Sequence, residues 1–235
     1  MSLEAQYRAI YQLMYKRRTR DAFQQGKFRR FDGLDDAEAE QVCNVANLRQ
    51  DVVVQLHAND IGTNWYMPRF PATWIALQVA LDCDQAELTM RFTDSAAFET
   101  RLNDDSDGRA LAGFVDELAA RDEALKSAGW MPELLRYERM VRGHWPDEVN
   151  PRVEAFGWDV GGIADALLEK ELFPVDEVAS SLHLLLYRDD AGVSEIALSA
   201  DQARVMRKVL NHLPVDDEPP KIVAKCRRVL NQLRS

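Results

Sequence analysis

The side chains that most often do chemistry are sparse and scattered in this 235-residue chain. Its four histidines, His57, His144, His183 and His212, include no pair three or four residues apart, so no helix face presents two imidazoles. Cys43, Cys83 and Cys226 form no CxxC and are too far apart in sequence for a disulfide framework or a zinc motif. Carboxylates are abundant, but none forms a distinctive acid–base pair. The glycine pattern of dinucleotide sites, the phosphate-binding loop, HExxH and GxSxG are all absent from the sequence. The segment NDDSDG at 103–108 faintly resembles a calcium loop. It lacks the full ligand spacing and the bidentate glutamate, so it reads as a turn. No catalytic residue and no metal ligand is assigned, and an enzyme is the weaker reading of the chain by itself.

The most structured signal is a β-hairpin, LHLLLYRDDAGVSEIAL, at Leu182–Leu198. Leu182, Leu184 and Leu186 share one face of the first strand, and His183, Leu185 and Tyr187 share the other. Asp189–Gly192 supplies the turn, with Gly192 free to take a positive φ. Val193–Leu198 returns, and Ser199-Ala200-Asp201-Gln202 is a capping box that opens a helix. His183 reads as a partly buried structural residue.

Elsewhere the apolar spacing is helical. Helices are expected over Leu3–Gln25, from Asp35 to about His57, after Pro71, from Asp84, over Arg109–Ala128, over Glu133–Arg142, over Trp158–Glu171, over Ala200–His212 and over Lys221–Leu233. NDIGTNWY at Asn59–Tyr66 is expected to be a polar loop. Trp65, Tyr66, Phe70 and Trp74 are expected to pack between helices. Val153–Phe156 is a candidate third strand. The fold class is therefore α+β: an all-helical domain over 1–142, then a small α+β domain over 143–235, a hairpin or three strands with helices covering one face.

The net charge of −10 argues against generic nucleic-acid binding, which needs a basic footprint. The charge is uneven. Residues 1–30 carry eight basic and two acidic side chains, and residues 219–235 carry five basic side chains and no acid. Solvated helix faces explain such ends most simply, and a docking face for an acidic partner is the functional alternative. There is no apolar run long enough to span a bilayer and no apolar signal-like start, so the chain is expected to be soluble and cytoplasmic.

A hairpin leaves an edge that can accept an extended peptide: main-chain bonds supply affinity and alternate side chains supply register. Val193, Ser194, Glu195, Ile196 and Ala197 are the candidate edge, and Lys221, Lys225 and Arg228 are the candidate basic face of an adjoining helix. Cover by a third strand or by the helical domain is the competing reading.

Three segments, WMPELLRYERMV at 130–141, AFGWDVGGIADALLE at 155–169 and LLLYRDDAGVSEIALSADQARVMRKVL at 184–210, together with YRAIYQLMYKRRTRDAF near the start, resemble a family of bacterial partner proteins first described as DNA-binding. Members of that family accompany TIM-barrel multinuclear non-haem iron oxidases. Those oxidases modify cysteine in ribosomally synthesised peptides, as in methanobactin or 3-thiaglutamate biosynthesis. The resemblance implies a non-catalytic accessory subunit in a heterodimer, with no cofactor of its own and iron in the partner subunit. The C-terminal domain would look like a winged-helix-like peptide-recognition element that holds the leader of the precursor peptide, and by position Val193–Leu198 and the last helix would match the leader-binding groove. The alternative is a nucleic-acid-binding regulator with a winged-helix-like C-terminal domain.

Overall fold

A computed structural model describes residues 3–15, 19, 22–23, 25–27, 31–44, 60–99, 105–121, 125–126, 129–169 and 181–233. The chain forms two compact units, Met1–Ser127 and Ala128–Ser235. Among the described residues the first unit holds helices joined by turns and no strand, and the second carries a three-stranded antiparallel sheet, so the fold is α+β with a helical N-terminus.

In the first unit, α1 (Leu3–Tyr15) is followed by α2 (36–44), whose start is set by a reciprocal cap. The Glu38 amide donates to Asp35 Oδ1 at 2.8 Å and the Asp35 amide donates to Glu38 Oε2 at 3.2 Å. The expected basic half of the first helix (Lys16, Arg17, Arg18, Arg20) and the expected run of the second helix to His57 lie outside the described residues.

The segment expected to be a polar loop is instead a π-helical turn, Ile61–Tyr66. Its composition is polar, but Ile61 and Tyr66 are buried, and the Met67 amide reaches back to the Gly62 carbonyl at 2.9 Å. The wider turn swings Tyr66 into the core beside α3 (Pro71–Ala80) and α4 (Gln85–Thr93). There Tyr66 stacks on Trp74 and meets the edge of Phe92 at a centroid distance of 4.7 Å, and Phe92 meets Phe98 of α5 (Ala96–Glu99) at 5.1 Å.

Residues 105–108, the described part of the expected 103–108 turn, are anchored to that core. The Tyr66 hydroxyl donates to the buried Asp105 carboxylate at 2.7 Å, and the Ala110 amide in the first turn of α6 (Arg109–Ala119) donates to it at 3.0 Å. Asp105 thus joins a helix start to the aromatic cluster. Gly108 sits between them at φ 70°, where a Cβ would lie 2.6 Å from Phe70 Cζ. Gly108→Ala is expected to cost the first unit about 1–3 kcal/mol, from left-handed strain plus overpacking, read as a lowered midpoint in urea.

The second unit opens with α7 (Trp130–Val141), then β1 (Arg152–Phe156), α8 (Val160–Leu168), β2 (Leu182–Asp189), β3 (Gly192–Leu198), α9 (Ala200–Leu210) and α10 (Pro220–Leu233). The division falls earlier than the expected boundary after Arg142, and the C-terminal half of α7 packs on the sheet. Met140 and Tyr137 pack with Phe156, Val160, Leu184, Leu186 and Val193. The opposite face of β2 presents Leu185, which joins Val205 and Met206 of α9 and Val223, Cys226 and Leu230 of α10. Helices therefore cover both faces of the sheet, where one covered face was expected. This is why β2 is apolar on both sides: Leu184, Leu185 and Leu186 are all buried.

Candidate functional site

β2 is the central strand. It pairs with β1 on one side (Arg152 with Leu186, Glu154 with Leu184) and with β3 on the other (Leu186 with Glu195, Leu185 with Ile196). The hairpin turn forms where the sequence placed it. The Ala191 amide donates to Asp189 Oδ1 at 2.8 Å, and Gly192 takes φ 132°.

Asn150, just before β1, fixes which way each backbone group points. Its Oδ1 accepts from the Arg188 amide at 2.9 Å and its Nδ2 donates to the Arg188 carbonyl at 2.6 Å. The Arg188 backbone therefore faces the β1 side, as do Leu186 and Leu184 by strand alternation. Tyr187, Leu185 and His183 face β3. Their register partners Ser194, Ile196 and Leu198 use their amides inside the hairpin. Val193, Glu195 and Ala197 consequently aim their N–H and C=O groups away from β2. Among the described residues, no strand pairs with this outer side of β3.

The side chains of the strand divide by the same alternation. Val193 packs on the α7 and α8 face, while Ile196 and Leu198 pack on the α9 and α10 face. Ser194, Glu195 and Ala197 are exposed. The Tyr137 hydroxyl of α7 donates to Glu195 Oε1 at 3.2 Å. Burial, and next the negative charge of Glu195, push the Tyr137 hydroxyl above its ordinary pKa, so it stays a donor across the physiological range.

α10 is amphipathic. Val223, Cys226 and Leu230 are buried, and burial raises the Cys226 thiol. Lys221, Lys225 and Arg228, spaced i, i+4 and i+7, form one exposed stripe. The structure ties β3 to α10 through the core, where Ile196 and Leu198 join the cluster of Val223, Cys226 and Leu230. No hydrogen bond or ion pair joins Lys221, Lys225 or Arg228 to β3 among the described residues.

The start of α10 is held by a charged clamp. Glu218, with 1% of its side chain exposed, takes Arg204, and it takes Lys208 at 2.7 Å; Lys208 also meets Asp217 at 2.9 Å. The Lys208 ammonium is the largest influence holding both carboxyls below their ordinary values of 4.5 and 3.8. Carboxyls more acidic when folded than when unfolded contribute stability above their ordinary range and lose it as pH falls through the folded values. The melting temperature of the second unit is expected to fall as pH drops below about 4.5, and Lys208→Met is expected to flatten that fall. Calorimetry from about pH 7 to about pH 3 reads both.

Two participants are not legible in the sequence. Asn150 carries no signal beyond preceding a proline. Tyr137 reads as one more apolar position of an amphipathic helix, and its hydroxyl acquires meaning only from the chain crossing that brings Glu195 to it. Among the described residues, no three His, Cys, Asp or Glu side chains converge on a point that could hold a metal ion, and no helix is long and apolar enough to cross a membrane. No protein-family model matches the chain, and no curated protein matches it.

Proposed function

We propose that this chain is a non-catalytic accessory subunit that captures an extended peptide on the outer edge of β3. The observation that carries this reading is the row of outward amides at Val193, Glu195 and Ala197, with no strand against them among the described residues. Native proteins blunt such edges unless they use them. Here both faces of the sheet are packed by helices, which makes the strand a rigid template, so an incoming segment loses its own freedom but need not order the receptor.

The family resemblance extends the reading. The captured segment would be the leader of a ribosomally synthesised precursor, presented to a TIM-barrel iron oxidase that binds this subunit and modifies a cysteine beyond the leader. The iron and the reacting groups would belong to that enzyme. Lys221, Lys225 and Arg228 would attract acidic side chains of the same precursor. Isothermal titration of the full chain with the leader of a cysteine-containing precursor encoded beside a TIM-barrel iron oxidase tests the proposal. Saturable binding is expected, and no heat of binding overturns it.

A further inference from the structure

We infer that Glu195 selects what the β3 edge accepts: an extended peptide with Lys or Arg opposite Glu195, in preference to a second copy of this chain. This rests on the reading of the β3 edge as a peptide acceptor. Glu195 is the middle residue of the outward-facing trio Val193, Glu195 and Ala197, so a peptide that uses the whole edge must place one of its residues directly across from it. The carboxylate is exposed at the rim of the α7 face, and the Tyr137 hydroxyl donates to one of its oxygens at 3.2 Å. Its second oxygen makes no hydrogen bond to another described residue. The side chain is therefore oriented before a peptide arrives, and a cation across the strand meets a carboxylate already in place.

The same residue works against self-pairing. Two copies pairing edge to edge by a two-fold axis, with all outward groups matched, would set Val193 opposite Ala197 and Glu195 opposite its own copy. Like charges directly opposite each other destabilise a strand pair, and opposite charges stabilise it. The net charge of −10 adds to the repulsion between copies. An unpaired edge that carried only Val, Ser, Ile and Ala would invite association, and the glutamate is the one formal charge on β3.

The test uses two short fluorescein-labelled peptides that alternate Thr and Val, one with a central Lys and the other with a central Glu. They are titrated by anisotropy into the full chain, Glu195→Lys and Ala197→Pro. The Lys peptide is expected to bind the natural chain about three- to tenfold more tightly than the Glu peptide, with the order reversed by Glu195→Lys. Both peptides are expected to fail on Ala197→Pro. Equal binding of the two peptides, lost in Ala197→Pro, overturns the role of Glu195 and leaves the edge as an acceptor. Failure of both peptides on the natural chain, or binding that survives Ala197→Pro, overturns the acceptor edge and the inference with it. Sedimentation of the natural chain as a dimer that Ala197→Pro dissociates also overturns the inference, since the edge would then be filled by a second copy.

Discussion

Leu185→Ala is expected to destabilise the second unit by about 2–5 kcal/mol and to lower its melting temperature by about 10 °C or more. Leu185 lies on the central strand, is fully buried, and is the β2 residue of the apolar cluster shared with Val205, Met206, Val223, Cys226 and Leu230. Removing its branched end opens a cavity lined by two helices and both neighbouring strands, which can collapse only by moving α9 or α10. Those helices are fixed at their junction by the contacts of Glu218 with Arg204 and Lys208, so little relaxation is available to offset the loss. A calorimetric scan that shows the second unit unchanged would contradict the assignment of Leu185 to this core.

Proline on β3 should have opposite consequences at neighbouring positions. At Ser194, whose amide lies inside the hairpin opposite Tyr187, proline removes a ladder bond and is expected to melt the sheet. At Ala197, whose amide faces outward, proline leaves the ladder whole and is expected to fold. It removes one donor from the edge and puts a ring where an incoming strand must lie. A loss of about tenfold or more in leader affinity is expected, with the far-ultraviolet circular dichroism of the natural chain retained. Ala197 is also exposed, so its replacement empties no part of the core.

The parts of the fold legible in the sequence are those set by local chemistry. Asp84 and Ser199 each accept the backbone amide three residues on, as their capping patterns required. The run of leucines and the Asp-Asp-Ala-Gly turn specified the hairpin, and its register follows from the short turn that pairs Asp189 with Gly192. What was not legible depends on distant packing. The Asn59–Tyr66 stretch is polar by composition, yet Tyr66 is drawn into the core by Trp74, Phe92 and Asp105, all later in the chain. α7 has the periodicity of any amphipathic helix, and nothing within it tells whether its apolar face meets helices or a sheet. The candidate edge residues Val193–Ala197 could be named from the hairpin pattern. Which of them point outward could not, since that rests on Asn150 engaging the Arg188 backbone.

The central claim, that the outer side of β3 holds an extended peptide, meets its most direct measurement in paired calorimetric titrations of the precursor leader into the natural chain and into Ala197→Pro. The account predicts saturable binding to the natural chain and a loss of about tenfold or more in the folded variant. Equal affinity for the two proteins would contradict it.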